Sequence, residues 1–269
     1  MKLNEIYKVL DEIAPKALSD EYCARFHAYD NSGVLVDSGE EIEKILFSLD
    51  LTQGAIDEAI ETGAKLIVTH HPAIYGKISD VLINDPAVVG TKLIRCIKNG
   101  ISVVSMHLNL DVAKDGIDEN LAKGIRFCAN GQETPAKEER MHCLEDGGYG
   151  RAYCVEEIPL SALTENLKKT FSTERVLVYG KADKKIKRVA SFCGAGADEE
   201  TVAFAAASGA DLMVSSDFKH HLLTMAQERG MAVIVLTHYA SESYGFKKYY
   251  QKICQKISLS CTYHEEDLF

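Results

Sequence analysis

Four short motifs place most of the histidines of this 269-residue chain next to carboxylates. They are VTHHP at 68–72, HLNLD at 107–111, SSDFKHH at 215–221 and THYASE at 237–242, and they hold six of the nine histidines. Imidazole nitrogens combined with carboxylate oxygens form sites for zinc, iron, manganese, cobalt or nickel ions. Because each motif ends or follows an apolar stretch that predicts a strand, the four together indicate a metal site at strand ends.

The adjacent residues His70 and His71 end one apolar stretch and are followed by Pro72. Proline disfavours the helical conformation in the residue before it, so His71 is expected to be extended. At the end of a strand the chain can turn so that both rings face one cavity, each toward a different metal ion. A structural or solvent-exposed role is the alternative for the pair taken alone.

Two further pairs combine a histidine with a carboxylate four residues later. In the first pair, Asp111 is predicted to bind metal, and His107 is either a ligand or a residue oriented beside the ligands. In the second pair, His238 and Glu242 would share one helical face and could grip one ion. The alternative for the first pair is that Asp111 caps a helix. The alternative for the second pair is that His238 and Glu242 form a solvated surface pair.

The SSDFKHH motif carries groups suited to acid–base chemistry. Asp217 or His221 could act as a general acid or base, and Lys219 could meet an anionic substrate. A solvated helix N-terminus capped by Asp217 is the alternative interpretation.

Strand and helix patterns alternate along the chain, which predicts an α/β fold with helices packed on mixed or largely parallel sheets. The predicted strands are 44–51, 65–69, 101–106, 174–180, 186–193, 211–215 and 232–237. The predicted helices are 53–62, 86–99, 160–171, 198–208 and 217–229.

Two stretches, 45–70 and 188–216, resemble each other, since each runs strand, loop, helix, turn, strand. This repetition indicates two related, interlocked α/β lobes, although any two such units share some likeness. The polar stretch 129–150 is the expected surface excursion between the lobes.

A single two-lobed domain is therefore expected over residues 1–269. Lobe 1 would cover about 1–128 plus the C-terminal segment 232–269, and lobe 2 would cover about 129–231. Ligands of open α/β sheets collect beyond the carboxyl ends of strands, so the metal site is expected in the crevice between the lobes.

The bulk composition limits the partners. A formal charge of −10 disfavours nucleic acid, and no apolar stretch approaches the length of about 18 residues that a membrane span needs. The N-terminal segment predicts an amphipathic helix rather than a signal peptide, so a cytoplasmic protein without membrane attachment is expected. The eight cysteines contain no CxxC pair, which favours free thiols over a cysteine-based zinc site.

The ordered motifs resemble those of the NIF-three-like dinuclear metal centre proteins, known as GTP cyclohydrolase 1 type 2 homologs. The likeness runs nearly end to end and also includes YDNSGVLV at 29–36, GIDENLA at 116–122 and CGAGAD at 193–198. The chain differs from the common family pattern at five positions outside the expected ligands: Tyr29, Ser216, His220, Leu222 and Thr237.

The resemblance implies two divalent metal ions in each subunit, with Glu242 as a bridging ligand. It assigns the ligands to His70, His71, Asp111, His238 and Glu242, with His107 at or beside the site. It also implies a toroidal homohexamer whose metal sites face an internal cavity.

A metal-dependent hydrolase is the first functional hypothesis, because two ions can bind and activate a bridging water. Its substrate would be a small anion such as a nucleotide or phosphoester, or a cyclic amide. A non-enzymatic metal-binding or metal-delivery protein, or an oligomeric scaffold, is the alternative. The chain has no GxxxxGK[ST] phosphate loop, so the resemblance supports a metal site better than it supports GTP as substrate.

Overall fold

The computed structural model describes residues 1–82, 84–132 and 137–265, and it divides the chain into two compact units. The helices are α1 Leu3–Ile13, α2 Lys16–Phe26, α3 Gln53–Thr62, α4 Val89–Lys98, α5 Leu108–Val112, α6 Ile117–Asn130, α7 Leu160–Thr170, α8 Glu199–Ala207, α9 His220–Glu228 and α10 His238–Lys256. The strands are β1 Gly33–Val36, β2 Lys44–Ser48, β3 Leu66–Thr69, β4 Ser102–Ser105, β5 Glu138–Leu144, β6 Gly147–Pro159, β7 Val176–Tyr179, β8 Lys185–Ser191, β9 Leu212–Ser215, β10 Ala232–Leu236 and β11 Ser260–Tyr263.

Unit 1 comprises Met1–Ala113 and Phe246–Phe269 and contains a five-stranded sheet in the order β1-β4-β3-β2-β11. Strands β11, β2, β3 and β4 are parallel, and β1 is antiparallel to β4. Strands β3 and β4 are short and buried along their whole length, as expected for parallel strands with both faces covered. Their carboxyl ends therefore lie side by side, with Thr69 opposite Ser105.

Unit 2 comprises Lys114–Gly245 and contains a six-stranded sheet in the order β5-β6-β8-β9-β10-β7. Strands β8, β9 and β10 are parallel, and β7 is antiparallel to β10. The run β7-β10-β9-β8 has the same order and directions as β1-β4-β3-β2 of unit 1. Two mixed sheets of matching topology confirm the predicted mixed α/β class and give the sequence repetition a structural counterpart.

The unit boundaries differ from the predicted lobe boundaries. Residues 232–269 were expected to belong to lobe 1. Strand β10 instead pairs with β9 and β7 and so belongs to unit 2. The whole of α6 also lies in unit 2, where it packs on β6. Ladder pairing and helix packing thus place the boundaries at 113/114 and 245/246.

The polar stretch 129–150 is largely regular structure rather than an excursion. Strands β5 and β6 form an antiparallel hairpin with Leu144 opposite Gly147, while residues 133–136 lie outside the described residues. Among the described helices, none combines the length and the apolar character needed to cross a bilayer.

A buried ion pair joins α6 to β6 in unit 2. Asp118 and Arg151 are both fully buried, and Arg151 Nη1 donates to Asp118 Oδ2. Asp118 also accepts hydrogen bonds from the backbone N–H of Gly150 at 3.1 Å and of Cys193 at 3.3 Å. The carboxylate therefore ties the helix to β6 and to the turn that follows β8.

Replacing this carboxylate should destabilise unit 2. We expect Asp118→Asn to lower the free energy of unfolding by about 2 kcal/mol, because Arg151 loses a charged hydrogen-bond partner while Glu119 and Glu138 remain beside it. Urea unfolding followed by circular dichroism measures the change. Asp146→Asn, at an exposed turn position between β5 and β6, is the control and should change stability by less than about 0.5 kcal/mol. Equal losses in both variants would contradict the assignment.

Candidate metal centre

The carboxyl ends of β3 and β4 bring a histidine-rich group together in unit 1. One ligand atom from each of His70, His107 and Asp111 lies within 4.8 Å of the others. His70 Nε2 is 3.5 Å from Asp111 Oδ1, and the His70 ring centroid is 4.9 Å from that of His71. These four residues are called the unit 1 ligand group below. Their proximity follows from parallel β3 and β4 and from α5, which carries Asp111.

Hydrogen bonds to Nδ1 fix the ring orientation of all three histidines in this group. His70 Nδ1 donates to the Met106 carbonyl oxygen at 2.8 Å, and a carbonyl can only accept. His71 Nδ1 lies 2.8 Å from Asp50 Oδ1, and His107 Nδ1 lies 2.7 Å from Asp30 Oδ1. A proton on Nδ1 makes Nε2 the nitrogen that can ligate a metal, which is the usual arrangement of metal-binding histidines.

Asp30 is an almost fully buried anion, with only 1% of its side chain exposed. Burial raises the pKa of its carboxyl, but hydrogen bonds from His107, Ser19 and Ser32 outweigh burial and hold that pKa well below its ordinary value. Burial lowers the pKa of His107, yet the hydrogen bond to Asp30 and the charges of Asp111 and Asp30 raise it overall. The pair therefore favours an ionised carboxylate beside an Nδ1-protonated imidazole.

A second group of histidine and carboxylates forms in unit 2 and is called the unit 2 ligand group. His238 and Glu242 occupy the first turns of α10, with His238 Nε2 3.1 Å from Glu242 Oε1. His238 Nδ1 lies 2.6 Å from Asp217 Oδ2, which orients the ring as Asp30 and Asp50 do in unit 1. The helical spacing predicted for this pair thus places both side chains on one face.

Asp217 adopts a left-handed backbone conformation, with φ +56°. Few residues other than glycine accept this conformation, and aspartate is one of them. The residue lies after β9 and before α9, whose N-cap is Lys219. Asp217 therefore contacts His238 and does not cap α9, which differs from the alternative drawn from the sequence.

The turn after β8 packs against Glu242. Gly194 has φ +57°, and a Cβ atom there would collide with Glu242 Oε1. The Gly194 N–H donates to Ser241 Oγ at 3.1 Å, and Ser216 Oγ donates to the Gly194 carbonyl oxygen at 2.5 Å. Only glycine leaves room here for the carboxylate, which has 3% exposure.

Lys219 and His221 are exposed at the start of α9. Within the described part of the chain, neither side chain forms a hydrogen bond or ion pair with the unit 2 ligand group. Their predicted catalytic roles therefore remain predictions.

Sequence reasoning assigned no role to Asp30, Asp50 or Gly194. Asp50 follows β2 at the same sheet edge as the histidines, so the strand-end criterion could have found it. Asp30 lies 77 residues from His107, and no local pattern connects the two.

Both groups combine imidazole nitrogen with carboxylate oxygen, a donor set that fits borderline divalent ions such as zinc, iron or manganese. The candidate ligands Asp111 and Glu242 are buried, and buried carboxylates favour a cation beside them. The residues present therefore fit a divalent metal.

Comparison with known proteins identifies a protein family that this chain matches. A model of the Duf34/NIF3 (NGG1p interacting factor 3) family matches residues 1–266. A GTP cyclohydrolase 1 type 2 homolog of Clostridium perfringens is 30% identical, over 96% of this chain and 93% of that protein. The Protein NIF3 homolog of Schizosaccharomyces pombe is 27% identical, over 98% and 91%.

Solved structures show the same fold. Reduced HcgD from Methanocaldococcus jannaschii superposes with a TM-score of 0.79 at 26% identity, covering 99% of this chain and 98% of that one. A Bacillus cereus protein related to NIF3 gives a TM-score of 0.78 at 19% identity, covering 98% and 97%.

The space at Gly194 provides a test of the unit 2 ligand group. We expect Gly194→Ala to displace Glu242 and weaken divalent metal binding by about tenfold or more, as loss of a supporting contact does at metal sites. Gly209→Ala is the matched control, because Gly209 has φ +72° with open space around it. Both variants should lose about 1 kcal/mol of stability from backbone strain. Titration with Zn²⁺ measures the affinity, and equal affinities in the two variants would count against the role of Gly194.

Proposed function

This chain belongs to the DUF34/NIF3 family, and we propose that it is a dinuclear divalent-metal protein that acts as a hydrolase. The observation that carries the proposal is the unit 1 ligand group. There, three imidazoles have Nδ1 held by oxygen acceptors, and His70 Nε2 lies beside the buried carboxylate of Asp111. A histidine that served only the core would not need this shared orientation.

The proposed ligands of the two ions are His70, His71, Asp111, His238 and Glu242, with His107 as a further ligand or an orienting partner. Candidate metals are zinc, iron, manganese, cobalt and nickel, since affinity order alone does not select among them.

When bound, two such ions would lower the pKa of a shared water and stabilise developing negative charge. The protein's own contribution is orientation. Asp30, Asp50 and Asp217 each hold a histidine through Nδ1, so these carboxylates position the rings. Lys219 and His221 are the proposed groups for contact with substrate, and their exposure makes them accessible.

The proposed substrate is a nucleotide, a phosphoester or a cyclic amide. The names of several relatives point to GTP, but the chain contains no GxxxxGK[ST] loop to hold a triphosphate. The metal site is therefore the better supported part of the proposal.

Metal delivery is a second candidate, favoured by one observation. The His238 side chain is 35% exposed, so solvent or an acceptor protein can reach this proposed ligand. Rapid transfer of metal to a chelator without turnover of any substrate would favour delivery over hydrolysis.

Metal content tests the proposed site directly. Elemental analysis of untagged protein should find about two ions per chain, and Asp111→Ala and Glu242→Ala should each lower this content sharply because each removes a charged ligand. Asp183→Ala and Glu199→Ala, at exposed positions, are the controls and should retain the metal. Circular dichroism verifies folding. Unchanged stoichiometry in both ligand variants would refute the site.

Turnover is measured on the same samples. Metal-loaded protein should hydrolyse at least one of bis-p-nitrophenyl phosphate, GTP and dihydrouracil, and Asp111→Ala should abolish that activity. Full metal occupancy without turnover of any of the three would favour delivery.

We also propose a homohexamer. Strand β7 is the edge of its sheet, and its adjacent residues Leu177 and Val178 are 60% and 40% exposed. Apolar side chains exposed on both faces of an edge strand are typical of an association surface.

Sedimentation velocity should therefore give a mass near six times the 29.6 kDa of the subunit. Leu177→Lys should shift the distribution toward smaller species, because a charge would be buried on association. A monomeric wild-type protein would overturn the proposal.

A further inference from the structure

A cavity of about 260 Å³ opens in unit 1 beside His71. Its wall includes the loop that follows β2 and the start of α4, and it contains both members of the Asp50–His71 hydrogen bond. A molecule in this cavity would therefore touch the ring of a proposed metal ligand.

Lys92 supplies a cation to the cavity wall. Within 1–82, 84–132 and 137–265, no carboxylate lies within ion-pairing distance of its Nζ atom, whereas Arg95 on the same helix pairs with Asp57 at 2.5 Å. The acidic residue of the wall, Asp50, is hydrogen-bonded to His71. The positive charge of Lys92 is thus available to a ligand.

Apolar side chains form about half of the wall. Leu51, Ala73 and Val89 contribute hydrocarbon surface, and Thr52 adds a hydroxyl group. Small-molecule sites combine apolar surface with a few placed polar groups. The apolar part suits a ring or a short hydrocarbon body, and Lys92 suits an anionic substituent.

The volume limits the size of the occupant. Pockets for drug-sized ligands hold about 300–1,000 Å³, and this cavity is slightly smaller. It matches a single ring with one charged group and is too small to enclose a complete nucleoside triphosphate.

We propose that this cavity, beside the proposed metal ligand His71, binds a small carboxylate or phosphate with a one-ring body, with Lys92 as the specificity-determining residue. The inference rests on the proposed function, because it takes His71 as a metal ligand. It adds to that function a binding site for small monocyclic anions in unit 1.

Binding by the full-length, metal-loaded protein tests the proposal. Isothermal titration would use phenyl phosphate and benzoate as the two anion types, inorganic phosphate as the probe without a ring, and GTP as the large ligand. The variants are Lys92→Gln, Val89→Trp, which adds bulk to the wall, and Lys98→Gln, an exposed control on the same helix. Elemental analysis of each sample reports the metal content separately.

Lys92→Gln should lower the affinity for phenyl phosphate or benzoate by about tenfold to a hundredfold, which is the effect of losing a hydrogen bond to a charged group. Lys98→Gln should bind as wild type, and Val89→Trp should weaken the ring-bearing probes more than inorganic phosphate. Binding of only one ring-bearing probe identifies the anion as phosphate or carboxylate.

Unchanged affinity in Lys92→Gln with intact metal content would contradict the proposed anion site but not the proposed metal site. Absence of binding by both ring-bearing probes, or GTP binding with the same dependence on Lys92, would also contradict the proposed anion site. A wild-type protein without metal would instead refute the proposed function, and Lys92-dependent anion binding by that sample would still support the cavity.

Discussion

The position of a single proton on each imidazole is the constraint on which the unit 1 ligand group depends. A carbonyl or an ionised carboxylate only accepts hydrogen bonds, so Met106, Asp50 and Asp30 each keep the proton of their histidine on Nδ1. The lone pair is then on Nε2, on the opposite side of the ring. The parallel strands β3 and β4 matter because they place the rings of His70 and His107 within a few ångströms of Asp111. Without the acceptors, the same histidines could rotate away from a common ion.

Burial of charge explains why this arrangement favours a cation. Asp30 and Asp111 are both buried at this end of the sheet, and an anion removed from water must be compensated by hydrogen bonds or positive charge. Serine hydroxyls and His107 supply part of that compensation to Asp30. A divalent ion adjacent to Asp111 would add more. In unit 2 the buried carboxylate of Asp118 is compensated by the guanidinium of Arg151 instead, and this ion pair supports the fold.

The sequence predicted the elements that have strong local signals. Alternating apolar stretches and helices led to the mixed α/β class, and two of the four motifs contained the four residues now seen in the unit 1 ligand group. The hairpin of β5 and β6 was missed, because β5 has a single buried residue and β6 begins with a glycine-rich stretch. The placement of β10 in unit 2 was missed because periodicity does not show which neighbour a strand pairs with. The orienting role of Asp30 depends on a contact across 77 residues, which no short motif encodes.

The left-handed backbone at Asp217 limits the residue types that fit this position. A β-branched or bulky residue would strain the turn, and glycine would relax it but remove the acceptor that holds His238. Asparagine keeps both the conformation and an oxygen acceptor, at the loss of one negative charge. Aspartate and asparagine are therefore the two residues that satisfy both requirements at this position. An exchange between them would tune the electron donation of the neighbouring imidazole while leaving the path of the chain unaltered.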